Sequence, residues 1–260
     1  MAQLTDLIKG QAYGQYELKL EREVRQGKIP KHVAVIMDGN RRYAEETLQG
    51  DSKQGHMKGK DKLEELMEWC REIGVKVLTV YAFSTENFSR EEDEVEFLMD
   101  LLEKSLLSFA EDERIHRNRV KLKVIGDISK IPDKVAEAIR YAEERTSGHS
   151  DFHLNMAIAY SGRQEIKDAI KAIARKVKAG ELDIEDIDES LISDHMYSPS
   201  HPDPDLVLRT SGELRVSNFL LWQLAYSELY FSDVYWPGFR KMDFLRAIRS
   251  YQQRSRRFGE

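Results

Sequence analysis

The apolar run Val33, Ala34, Val35, Ile36, Met37, stopping on Asp38, Gly39, Asn40, Arg41 and Arg42, constrains this chain more than any other feature. A continuous run rich in β-branched residues reads as a strand buried on both faces, the kind found in parallel sheets covered by helices. Asp38 then emerges at the strand's carboxyl end, where open α/β sheets receive ligands. Gly39 lets backbone N–H groups approach an anion closely. A carboxylate beside two guanidiniums suits a phosphorylated ligand and its metal ion. The same residues also spell an ordinary helix N-cap, since Asp before Gly and Asn often does only that.

Four further apolar runs repeat the layout. Val77 to Phe83 stops at Ser84, Thr85, Glu86, Asn87, and Val120 to Ile125 stops at Gly126, Asp127. Phe152 to Ala159 stops at Tyr160, Ser161, Gly162, Arg163, and Leu206 to Leu208 stops at Arg209, Thr210, Ser211, Gly212. Helical periods such as Leu63, Leu66, Met67, Cys70 and Val135, Ala138, Ile139, Ala142 fill the intervals. The alternation predicts an α/β fold: a single domain with a largely parallel central β-sheet, right-handed crossovers and flanking helices. Lysines alternate with apolar residues around Val120, Leu122 and Val124, which places that strand toward a sheet edge. Parallel strands deliver their polar tails to one edge. That gathers Asp38, Asn40, Arg42, Ser84, Asn87, Arg163 and Arg209, with Arg215 and Ser217 at the start of a predicted helix through Phe219 to Tyr226. Guanidiniums grip phosphate oxygens in pairs, and a helix start offers free N–H groups. The expected result is a diphosphate pocket.

Composition narrows the classes. With 260 residues, 41% of them hydrophobic, the chain can build one large core, and no linker or repeat divides it. The single cysteine, Cys70, cannot form an internal disulfide and suits a reducing compartment. Apolar stretches fall short of the ~18 residues of a membrane span, and no cleavable signal opens the chain, so a cytoplasmic protein is expected. A formal charge of −6 argues against a nucleic-acid partner.

The motifs resemble the cis-prenyltransferases, the family of undecaprenyl and dehydrodolichyl diphosphate synthases. The resemblance runs from His32 through Asp38-Gly-Asn-Arg-Arg-Tyr43, Gly55-His56, Tyr81 to Arg90, Ile125-Gly-Asp127, Arg209 to Gln223 and Glu228-Leu-Tyr-Phe231, closing on Arg257-Phe-Gly259. It covers a catalytic domain over 31–260 and leaves an N-terminal helical segment over 1–30. It implies repeated, Mg²⁺-dependent condensation of isopentenyl diphosphate onto an allylic diphosphate primer, giving a long-chain polyprenyl diphosphate with cis double bonds. Bacterial members usually carry Gly and Trp where this chain has Arg41 and Tyr43, and Trp where it has Phe88. The spelling here is closer to archaeal and eukaryotic members, with a longer primer such as geranylgeranyl diphosphate.

By the same resemblance, Asp38 would hold Mg²⁺ on the allylic diphosphate, with Glu228 as a second metal carboxylate. Gly39, Asn40, Arg41, Arg42, Tyr43 and His56 would bind around that diphosphate. Ser84 and Asn87 would act where a proton leaves, with Phe88 and Arg90 in the surrounding segment. Arg209, Arg215 and Ser217 would hold the diphosphate of isopentenyl diphosphate. Arg257 and Gly259 would complete the site of the neighbouring subunit of a homodimer, and the lipid product leaves room for a peripheral membrane contact at its release. A dry tunnel is expected between the strand face Phe152, Leu154, Met156, Ile158 and a helix carrying Leu98, Leu101, Leu102 and Phe109. Phe152 lies seven residues before Ala159, roughly 23 Å at ~3.3 Å per residue, which puts it near the closed end.

Read as residues alone, several of these positions keep plainer roles. His56 can simply start a helix, Glu228 can pair with an arginine, Ser84 and Asn87 can form an Asx turn, and Arg257 can sit on a solvated tail. Two other functions remain as alternatives: a non-catalytic partner subunit of a heteromeric prenyltransferase, and an aspartyl-nucleophile phosphatase. The phosphatase needs a second carboxylate two residues after Asp38, where this chain has Asn40.

Overall fold

The computed structural model describes residues 2–198 and 201–254, with side chains from residue 13 onward. Six parallel strands form one sheet in the order β3-β4-β2-β1-β5-β6. In chain order the elements are α1 (Ala2–Gln26), β1 (His32–Ile36), α2 (Asn40–Tyr43), α3 (Ser52–Ile73), β2 (Val77–Ser84), α4 (Glu92–Glu111) and α5 (Glu113–Arg117). There follow β3 (Val120–Ile125), α6 (Asp133–Arg145), β4 (Phe152–Tyr160), α7 (Gly162–Lys178), α8 (Glu189–Asp194), β5 (Leu206–Arg209), β6 (Glu228–Phe231) and α9 (Lys241–Gln253). The lysine-bearing strand β3 is an edge, as its pattern predicts. No described helix is long and apolar enough to cross a membrane.

Alternation along the strands sends side chains to two cores. Val33 and Val35 of β1 join Phe152, Leu154, Met156 and Ile158 of β4 in the larger core, under α3, α4, α6 and α9. Ala34 and Ile36 join Ala157, Val207 and Phe219 in a smaller one on the opposite face. The alternation slips at Ala159, whose φ of 48° is left-handed, and Tyr160 turns to the smaller core.

The predicted helix over Phe219 to Tyr226 is replaced by turns. Ser217, Asn218 and Leu220 take φ values of 47°, 62° and 45°, and left-handed residues cannot propagate a right-handed helix. Phe219 and Leu220 are buried all the same, because the turns fold them under the sheet. Ser217 therefore contributes its hydroxyl instead of a helix start.

Candidate active site

All six strands end at one edge, and a cleft of about 520 Å³ opens above the middle ones. Its walls carry Asp38 and Asn40 after β1, Tyr81, Ser84 and Asn87 at the end of β2, His56 of α3, Arg90, and Arg209, Arg215 and Ser217 beyond β5. The register Ile36 with Arg209 sets Asp38 and Arg209 on neighbouring strand ends. Thr210 fixes the turn, since its Oγ accepts from the Asp38 N–H at 2.9 Å and donates to the Asp38 carbonyl at 2.7 Å.

Gly39 turns the chain with φ 103°, and a Cβ there would sit 2.8 Å from the Tyr235 ring. Arg209, buried, donates to Asp38 Oδ2 at 2.7 Å, to the Arg215 carbonyl at 2.6 Å and to Ser217 Oγ at 2.7 Å. Its buried Nε has no protein partner, which suits a pocket meant for an anion. Arg42 lies over the Tyr235 ring, bonds to Ser211 Oγ and stands 3.4 Å from Asp38 Oδ1. Burial works against ionisation of Asp38, but the hydrogen bond and charge of Arg209, with Arg42, hold its carboxyl below the usual range.

Ser84 and Asn87 have both the turn role and a place in the cleft: the Ser84 N–H donates to Asn87 Oδ1 at 3.0 Å, and both residues line the walls. Arg41 lines an adjoining cleft with Arg90 and Glu94. The Asn40 backbone packs against Gly55, and its side chain packs against Gly59. Tyr43 packs toward Gly238, and Phe88 meets Phe83 edge-on at 4.8 Å. Neither aromatic reaches the cleft wall.

Two expected members of the site lie elsewhere. Glu228 is at the amino end of β6, level with Leu206 and not with Arg209, and pairs with Arg254 at 2.9 Å. A parallel strand cannot bring its first residue to the edge where the others end, so Glu228 and Asp38 do not meet within one chain. Arg163 is exposed at the start of α7, off the cleft wall, because β4 ends beyond β2 from β1. Arg257 and Gly259 fall outside the described residues.

A second cavity, of about 690 Å³, lies between α3, α4 and the sheet, with Lys60, Glu64, Glu68, Asp112 and Arg114 among the residues around it. Leu63, Met67, Leu106, Phe109, Leu154 and Met156 give it apolar walls. Leu98 lines the polar cleft instead, while Leu101 and Leu102 are half-buried away from both walls. Phe152 is 2% exposed in the core, one step past Leu154 on the same strand face, and is not part of the cavity wall.

The sequence reading missed Glu94. It accepts from Arg90 Nη1 at 2.9 Å and His56 Nε2 at 3.2 Å and lies 3.5 Å from Arg41 Nη1. The signal available was its position four residues after Arg90. Three or more His, Cys, Asp or Glu side chains do not cluster anywhere among the described residues. Asp38, which shares the cleft wall with one other carboxylate, Glu86, fits Mg²⁺ held the way that ion usually is, by one or two carboxylates together with substrate phosphates and waters.

Comparison with known proteins shows the family of the chain. A family model described as "Putative undecaprenyl diphosphate synthase" matches residues 36–259. A tritrans,polycis-undecaprenyl-diphosphate synthase (geranylgeranyl-diphosphate specific) of Thermoplasma volcanium is 54% identical over 244 residues, 94% of each chain. The protein of the same description from Methanocaldococcus jannaschii is 54% identical over 248 residues, 94% of this chain and 88% of that one. The crystal structure of lavandulyl diphosphate synthase from Lavandula x intermedia, in complex with dimethylallyl diphosphate, superimposes with a TM-score of 0.83 at 36% identity, covering 89% of this chain and 99% of that one.

Proposed function

Since this chain belongs to the undecaprenyl diphosphate synthase family, we propose that it elongates an allylic primer, geranylgeranyl diphosphate, with successive isopentenyl units in the cis geometry. The observation that carries the reading is a pair of spaces lined by the same two helices. A cleft lined by Asp38, Arg209, Arg215 and His56 opens at the strand ends, with Leu98 of α4 on its wall, and further along α3 and α4 Leu63, Met67, Leu106 and Phe109 line a second cavity. A molecule with a diphosphate head and a long hydrocarbon tail matches both.

In this proposal Asn40, Arg42, His56 and Arg90 surround the primer's diphosphate, and Arg209, Arg215 and Ser217 hold that of isopentenyl diphosphate. Mg²⁺, held by Asp38 and phosphate oxygens, would neutralise charge on the departing diphosphate. Ser84 and Asn87 would act where the proton leaves C2 of the added isopentenyl unit as its new double bond forms. The dry wall of Leu154, Met156 and Phe109 takes up the lengthening chain.

The proposal includes a cytoplasmic homodimer that touches a membrane when product leaves. Exposed Leu214 (77%) and Tyr226 (74%) on the segment after β5 support a subunit contact there. Glu228 would reach a metal only in such an assembly.

The test is incubation of purified protein with radiolabelled isopentenyl diphosphate, Mg²⁺ and primers of ten, fifteen and twenty carbons, followed by butanol extraction. Label in long-chain products, most with the twenty-carbon primer, is expected. No extractable label with any primer would remove the synthase reading and favour the non-catalytic subunit.

A further inference from the structure

A single carboxylate holds three of the basic groups of the primer site. Glu94, in the first turn of α4, has a side chain 12% exposed, and its oxygens meet Arg41 of α2, His56 of α3 and Arg90 of the turn after β2. The three partners come from three separate elements. Each lines the diphosphate cleft or its neighbour: His56 the first, Arg41 the second, and Arg90 both.

We propose that Glu94 is the positioning residue of the primer's diphosphate site, gathering Arg41, His56 and Arg90 into one array before the ligand arrives. The inference rests on the synthase reading above and adds a residue to it.

The physical case begins with repulsion. Two guanidiniums that share a partly desolvated corner push one another apart, burial beside them holds the His56 imidazole below its ordinary pKa, and a diphosphate arriving at a scattered set must order each long side chain as it binds. Glu94 meets that ordering cost during folding. Burial disfavours its ionisation, but Arg90, His56 and Arg41 together hold its carboxyl below the usual range, so it is charged at neutral pH. A charged carboxylate only accepts hydrogen bonds, so the contact with His56 puts a proton on Nε2. Charges facing His56 are Arg41 from α2, Arg90 from the turn and Glu94 from α4, with Asp38 across the same cleft.

Glu94→Gln keeps the shape and removes the charge. Turnover kinetics with geranylgeranyl diphosphate, and calorimetric binding of the unreactive geranylgeranyl S-thiolodiphosphate, read the outcome. The variant should raise the KM for primer and the Kd for the analogue at least tenfold, leaving the KM for isopentenyl diphosphate within twofold. Glu92→Gln, which removes a charge from the same helical turn, should change neither. Arg41→Gln should weaken primer binding in the wild type but add little to Glu94→Gln, because without the carboxylate Arg41 is no longer held in the array. An unchanged primer KM and analogue Kd would overturn the proposal. So would an equal rise for both substrates, the same effect from Glu92→Gln, or fully additive Arg41 and Glu94 effects. If the wild type made no polyprenyl product the synthase reading would fail, while analogue binding would still decide the role of Glu94.

Discussion

Arg209 and Asp38 form a hydrogen-bonded ion pair of 2.7 Å between neighbouring parallel strand ends. The pair joins the two halves of the proposed site, since Asp38 would face the metal and the primer while Arg209 reaches Ser217 and the backbone of Arg215. It also sets the state of the site before substrate binds, with a carboxylate already ionised and a guanidinium already aimed.

Asp38→Ala should lower turnover by about 10³-fold or more, because the carboxylate acts as charge develops on the leaving diphosphate. Asp38→Asn should do nearly the same at a smaller cost in stability, since it leaves Arg209 an acceptor. Single-turnover rates over a range of Mg²⁺ concentrations check this; near wild-type rates with unchanged metal dependence would contradict the assignment.

Arg209→Lys keeps the charge but cannot reach Asp38, Ser217 and the Arg215 carbonyl together. The KM for isopentenyl diphosphate should rise at least tenfold, with primer affinity changed far less, in initial-rate measurements that vary each substrate in turn.

Gly55→Ala would place a Cβ 2.0 Å from the Asn40 carbonyl oxygen, so α2 and α3 would have to separate. The expected cost is about 1–3 kcal/mol of stability, together with weaker primer binding, because the Asp38 to Arg42 turn moves with α2. Urea unfolding beside primer KM tests both parts.

Phe152→Ala should destabilise by about 3–5 kcal/mol, as a large-to-small change in a core. It should also open the cavity beyond Leu154 and Val120, which line it. Products longer than wild type, with the first condensation little changed, are expected from mass-spectrometric sizing. An unshifted length distribution from a folded, active variant would remove Phe152 as a determinant of length.

Burial holds the His32 imidazole down at about 4, from an ordinary 6.5, while its ring nitrogens bond to the Pro202 carbonyl and Thr79 Oγ. The unfolded chain therefore takes up this proton at a higher pH than the folded one. The stabilisation is present above about pH 6.5 and is lost as the pH falls toward 4, by on the order of 3 kcal/mol. Replacement with Gln, which keeps a donor and an acceptor, should flatten that limb in a series of thermal melts against pH.

The strands and the chemistry at their ends were legible because they rest on local patterns. Val33 to Met37 could only be a buried strand, and once five such runs alternate with helices, Asp38, Ser84 and Arg209 must share an edge. Three matters depended on the tertiary structure. Phe219 to Tyr226 has the apolar content of a helix, but the left-handed backbone at Ser217, Asn218 and Leu220 broke it and buried Phe219 and Leu220 by another path. Glu228 looks like one more site carboxylate, yet its place along β6 is set by pairing with β5, and register is a long-range property. Glu94 looks like one acid among several in the run Glu91 to Glu94, and only the approach of α2 and α3 to α4 selected it. Local sequence determined which segments are strands and which of their ends carry chemistry, because burial and turn formation act over a few residues. The packing of distant elements decided which charges meet, because an ion pair needs two groups within a few ångströms and no pattern along one segment records that distance.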